Sequence, residues 1–204
     1  MYDVLEVCRH IIKYCDEKDY IISNLKLQKL LYFIQAYFLV VKNKPCFREP
    51  IVAWDIGPVV PAAGHEYRKY GGCHIWYHET YWIHLDDPWS ARCVTFYDRI
   101  ISPEDKRLID CVVDRFADYS AVELTRITQH QTPWINAYEP DVSNEITTSS
   151  IKEYFTEAEA NKKISASLTE ELINYTKAQK WNGSLPTVTG GNSMSMLDFK
   201  IDEQ

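Results

Sequence analysis

Residues 23–41 read Ser-Asn-Leu-Lys-Leu-Gln-Lys-Leu-Leu-Tyr-Phe-Ile-Gln-Ala-Tyr-Phe-Leu-Val-Val, and this stretch decides the fold. Leu27, Leu30, Leu31, Ile34, Phe38 and Val41 recur at the three, four and seven spacing of a buried helical stripe. Ser23 stands where an N-cap is needed, and Asn43-Lys44-Pro45 stops the pattern. Tyr32, Phe33 and Tyr37 widen the stripe beyond the needs of one neighbour. A helix over about 24–41 is therefore expected at the centre of the domain.

The flanking segments supply its coat. Val4, Leu5, Cys8, Ile11, Ile12 and Cys15 predict a helix over 2–16, capped by Asp3. Ile51 to Ile56 predicts a short extended piece, and Gly57-Pro58-Val59-Val60-Pro61 is expected to interrupt all regular structure. A helix over Ala62 to Tyr70 should stop at Gly71-Gly72. Residues 74–97 are rich in β-branched and aromatic residues, divided by Asp86-Asp87-Pro88-Trp89-Ser90, and predict a β-hairpin insertion. Helical spacing returns after Ser102-Pro103-Glu104-Asp105, an N-cap with Pro at the first helical position and an acidic first turn. Ser120 with Glu123 spells a capping box, Thr132-Pro133-Trp134 breaks that helix, and Ile151 to Ala160 predicts another. The fold class is mainly α (α+β). Leu168 to Trp181 reads as a further amphipathic helix, and Asn182 to Ser195 as a flexible linker before Met196-Leu197-Asp198-Phe199. The expected division is a domain over 1–160 and a C-terminal helix with a tail over 161–204.

Composition bounds the function. The 204 residues carry a formal net charge of -7, are 46% hydrophobic and 25% charged, and include 6 Trp and 14 Tyr. Phosphate neutralisation needs clustered Lys and Arg, so nucleic-acid binding is not expected, while a partner with a basic surface is. No run reaches the roughly 18 apolar residues of a membrane span, and the opening Met-Tyr-Asp-Val-Leu-Glu has no signal-peptide character. The six cysteines form no CxxC pair, so reduced thiols in a cytoplasm are the expectation.

Catalytic patterns are missing from the sequence: it holds no Gly-x-Ser-x-Gly and no phosphate-cradling loop. His65, Cys73, His74, His78 and His84 fall within twenty residues and make the best case for zinc or a thiol enzyme. In an extended strand His74 and His78 would sit about 13 Å apart, too far to share an ion. Hydrogen-bonded or solvated histidines are the simpler expectation, so neither a metal nor any other cofactor is assigned.

Leu25-Lys26-Leu27-Gln28-Lys29-Leu30-Leu31-Tyr32-Phe33, followed by Ala53-Trp54-Asp55-Ile56-Gly57-Pro58-Val59-Val60-Pro61, resembles the Panacea (SocA-like) antitoxin family. His65 to Gly71, the Ser102-Pro103-Glu104 opening, and Leu124 through Pro133-Trp134 extend the likeness over about residues 2–155. Two departures stand out. Val52 replaces the acidic residue the family often carries there, and Thr128-Gln129-His130-Gln131-Thr132 replaces its usual Thr-His.

The resemblance implies an antitoxin that neutralises a cognate toxin by direct contact, not an enzyme. It also implies an alternative, an adaptor that delivers a client to an AAA+ protease, with the tail as a handle. A DNA-binding appendage is not expected. The candidate contact residues are Trp54, Asp55, Gly57, Pro58, Tyr67, Trp76, Tyr81, Trp82 and Trp89. The expected scaffold residues are Leu27, Gln28, Lys29, Leu30, Tyr32, Phe33, Trp54, Pro61, Pro133 and Trp134. Within that scaffold, the Gly-Pro turn is expected to dock Trp54 under the central helix, fastened by Gln28 and Gln35.

Overall fold

A computed structural model describes residues 1–83, 92–95 and 100–157. Its centre is α2 (Asn24–Val41), capped by the Ser23 hydroxyl accepting from the Lys26 N–H. Every residue from Lys26 to Leu39 is buried, so this helix has no solvent face along most of its length. Such a helix must find neighbours all round. They are α1 (Val4–Glu17), α4 (Pro103–Arg115), α5 (Ala121–Gln129) and α7 (Thr148–Glu157). Two short helices, α3 (Pro61–Glu66) and α6 (Thr132–Ala137), complete the helical set among the described residues.

The capped helix starts form where the sequence places them, whereas the helix expected over Ile151 to Ala160 begins earlier, at Thr148. Asp3 caps α1, Ser102 caps α4 ahead of Pro103, and Ser120 with Glu123 closes the reciprocal capping box on α5. Each such cap contributes about 1 kcal/mol by satisfying amides that the helix cannot pair. The apolar faces then merge into one core. Val7, Ile11, Leu27, Leu31, Ile34, Leu108, Ile109 and Leu124 are all within 1% of complete burial. Phe33 stacks on Phe116 with ring centroids 4.3 Å apart, and Phe155 from α7 meets Tyr32 edge-on. At the far end, the Tyr2 hydroxyl and the Lys42 ammonium both donate to Asp105, tying the N-terminal segment to α2 and α4.

Two antiparallel hairpins are described. In the first, β1 (Val52–Trp54) pairs with β2 (Gly57–Val59) in the register Val52↔Val59, Ala53↔Pro58 and Trp54↔Gly57. This corrects the expectation that Gly57-Pro58-Val59 interrupts all regular structure. Proline is tolerated because Trp54↔Gly57 closes the two-residue loop, leaving Ala53↔Pro58 as a pair that exchanges no hydrogen bonds. The Ala53 N–H accordingly points the other way and donates to the Asn144 carbonyl at 2.9 Å. Pro61, likewise expected to break structure, opens α3 at its first position. The helix expected to reach Tyr70 ends at Glu66, and a 3-10 turn covers Arg68–Tyr70 before Gly71 at φ 52°.

The second hairpin pairs β3 (Thr80–Ile83) with β4 (Arg92–Thr95), from Thr80↔Thr95 to Ile83↔Arg92. It is shorter than the 74–97 hairpin anticipated. Residues 74–79 are not a strand, because the Ile75 N–H is given to the Ile22 carbonyl and the His74 Nδ1 accepts from the Ile22 N–H. His74 is thereby used as a hydrogen-bond acceptor. Among the described residues no group of three or more His, Cys, Asp or Glu is placed to hold a metal ion. Cys8, Cys15 and Cys46 are buried and free, Cys111 is half-buried and Cys73 exposed. Burial pushes the Cys15 thiol up to about 12. Among the described residues no helix is long and apolar enough to cross a membrane. Trp89, His84 and the helix, linker and end piece expected after residue 161 lie outside the described residues.

Candidate functional site at the first hairpin

The face of α2 that carries Gln28, Lys29 and Tyr32 does not pack as a hydrocarbon surface. Each polar side chain finishes the hydrogen bonding of a loop. The Gln28 carbonyl oxygen accepts from the Val60 N–H at 2.9 Å, while its amide donates to Asn24, which in turn donates to the Gly64 carbonyl. Gln28 therefore fastens the exit of β2 as expected. Gln35 does not: its oxygen accepts from the Cys46 and Phe47 amides, and its nitrogen donates to the Phe47 carbonyl. Two turns along the helix, it is out of reach of the Gly-Pro segment.

Lys29 is fully buried, and its ammonium donates to the Pro58 carbonyl at 3.0 Å. Burial lowers its pKa to about 7, because the charged form has lost its water. Gly57 makes room for it. Its φ is 91°, a region open to glycine, and a Cβ there would lie 2.9 Å from the Lys29 nitrogen and 3.0 Å from the Thr128 hydroxyl. Glycine is required twice over, by backbone angle and by contact.

The other side of the hairpin tip is gripped from α5, α6 and the segment after them. Gln129 donates through its side chain to the Asp55 carbonyl, and the Trp134 indole N–H donates to the Trp54 carbonyl at 3.1 Å. Tyr138 stacks on Trp134 at 4.4 Å and donates its hydroxyl to the Asp55 carboxylate at 2.9 Å. The Trp54 indole N–H donates to the Ser143 hydroxyl at 3.0 Å. Behind these, Tyr32 donates to the Gln131 oxygen at 2.9 Å, which steadies the α5–α6 junction. His130 bonds back to the Arg126 carbonyl, so Gln129 is the residue that reaches the hairpin.

Trp54 is thus not docked under the central helix. It lies at the rim, 38% exposed, and Lys29 fills the position beneath the turn. Asp55 and Ile56 are exposed beside it. Gly57 and Pro58 are buried, and Tyr67 is 7% exposed within the core, so these three candidate contacts face inward. Trp76, 63% exposed, stands at a different place, edge-on to His74. Tyr81 and Trp82 are placed only by the backbone of β3. Among the scaffold residues, Leu27, Leu30 and Phe33 lie in the core, Pro61 starts α3 and Pro133 is buried at the start of α6. Tyr138, Ser143 and Asn144 are absent from the sequence-based candidates, where Thr128 and Gln129 figure only in the departure from Thr-His. A polar Thr128 four residues after Leu124, on the inward face of α5, was the available signal.

The residues that meet around Lys29 are those of the two sequence motifs. The description "Antitoxin SocA-like, Panacea domain" matches residues 27–135, more than half of the chain. The chain belongs to the SocA-like Panacea family. Antitoxin SocA of Caulobacter vibrioides (strain NA1000 / CB15N) is 55% identical over 40 residues, 20% of this chain and 21% of that protein. The chain therefore spans about a fifth of the length of the curated relative it matches. No solved structure matches it. The Panacea match takes in Lys29, the first hairpin, Thr128 and Trp134, whereas Tyr138 and Ser143, which also hold the tip, lie beyond it.

Proposed function

We propose that this chain is an antitoxin that neutralises a cognate toxin by direct protein contact, and that the tip of the first hairpin is its contact surface. The observation that carries the reading is the use made of the Panacea motif residues. Lys29, Gln129 and Trp134 converge behind Trp54 and Asp55, joined by Tyr138 from beyond the match, and leave the outer face of the two-residue loop in solvent. A loop fixed in advance loses little conformational freedom on docking, which favours binding by preorganisation. A partly exposed Trp is also the residue type most often found at the energetic centre of an interface.

The test is co-expression with the product of the adjacent gene. Growth arrest by that product alone, relief by this chain, and recovery of the two as one complex are expected. A neighbour that is harmless alone and never co-purifies overturns the reading.

A further inference from the structure

The outer face of the hairpin tip has a definite chemistry. An open depression of about 380 Å³ is lined by Trp54, Asp55, Ile56, Asp141, Val142 and Ser143. Its apolar floor is partly open to solvent: Trp54 is 38%, Ile56 46% and Val142 41% exposed. Its charged groups are of one sign. Asp55 and Asp141 line it, and exposed Glu139 pairs through a backbone bridge with Val142. No cation lines the depression; Lys29 lies beneath the hairpin, sealed from solvent.

Building on the reading of the tip as a contact surface, we infer that it recognises a protruding aliphatic side chain flanked by lysine or arginine on the partner. The apolar floor gains by covering a side chain. The carboxylate rim favours cations around that side chain and repels acidic neighbours, giving selection by charge as well as by shape. Nucleic acid is disfavoured at the same place, because phosphates would face the same carboxylates. The depression sits at the small end of the range for small-molecule pockets and is open to solvent, which suits a knob presented by another surface. The Asp55 carboxylate is already oriented by Tyr138, so part of the rim is fixed before binding.

The test uses the whole chain and a capped five-residue peptide, leucine flanked on each side by two lysines. A second peptide has glutamates in place of the lysines. The Trp54 indole N–H, bonded to Ser143 at the rim, serves as a local NMR reporter and is assigned with Trp54→Phe. The lysine peptide should shift this resonance at roughly millimolar concentration. The shift should fade as salt rises from about 0.05 to about 0.5 M, over which the screening length falls severalfold. The glutamate peptide should leave it in place. The double variant Glu139→Gln/Asp141→Asn keeps side-chain shape, and Asn tolerates the positive φ of position 141. It should weaken the lysine peptide by about fivefold or more while leaving the circular dichroism unchanged. Equal responses to the two peptides, no response to the lysine peptide, or undiminished binding by the double variant would overturn the inference. A failed titration with an intact toxin complex removes this inference alone. A missing toxin complex removes the antitoxin reading and leaves the peptide result standing.

Discussion

Along α2, Leu27, Leu31, Ile34 and Phe38 are buried in the hydrocarbon core, whereas Gln28, Lys29, Tyr32 and Gln35, one residue round, end on loop carbonyls and amides. The first flank stabilises through area removed from water and through close packing. The second contributes less net free energy per contact, because each hydrogen bond replaces one to water, but an unmade bond there is costly. The difference is one of role. The apolar flank keeps the domain folded, and the polar flank decides where the first hairpin stands.

Substitutions should separate the two. The largest effect on stability is expected from Leu31→Ala, which opens a cavity at a fully buried site: about 3–5 kcal/mol in denaturant unfolding. Binding to the proposed toxin should fall only in proportion to the unfolded fraction. Gly57→Ala should cost about 1–3 kcal/mol through strain at positive φ and crowding of Lys29. It should also move the Trp54 indole resonance, which Leu31→Ala in its folded fraction should not.

Lys29→Met is expected to change stability at pH 7 by less than about 2 kcal/mol, since a lost hydrogen bond is set against a relieved burial penalty. Its signature lies in pH. The folded pKa is about 7 against 10.5 unfolded, so between these values the unfolded chain binds the extra proton. Wild-type stability relative to the Met variant must therefore rise with pH through that window, at up to about 1.4 kcal/mol per unit. Comparing the two proteins at each pH from 6 to 9 cancels the raised thiol and phenol groups they share. A flat difference would mean that Lys29 is solvated in the folded state.

The smallest stability effect, about 1 kcal/mol or less, should come from Trp54→Ala at the rim, with binding to the proposed toxin reduced tenfold or more. Destabilisation comparable to Leu31→Ala would place Trp54 with the core and collapse the distinction.

The sequence made the apolar flank legible in detail. Periodicity located α1, α2, α4 and α5, and the Asp3, Ser23, Ser102 and Ser120 caps fixed their starts, because these signals are local. The cradle was legible only in its parts. That Gly57 and Pro58 form a strand depends on pairing with Val52–Trp54 and on the Asn144 carbonyl, 91 residues away in sequence, taking the outward Ala53 amide. Lys29 was legible as a scaffold residue of the central helix, but nothing within its own turn announces a carbonyl from residue 58. Gln129 was read as a departure from Thr-His, and its role emerged only when Asp55 came within reach. The antitoxin motifs flagged which residues gather there without saying how they touch.

One property of Lys29 has a practical side. Near pH 8 most of this amine is neutral, the form that reacts with acylating reagents, yet it is sealed beneath the hairpin. Its modification rate should therefore follow the fraction of molecules in which the β1–β2 hairpin is lifted away from α2. Mass-spectrometric labelling of this single lysine would report that open fraction, in the free chain and with a partner bound. An occupied tip should lower it.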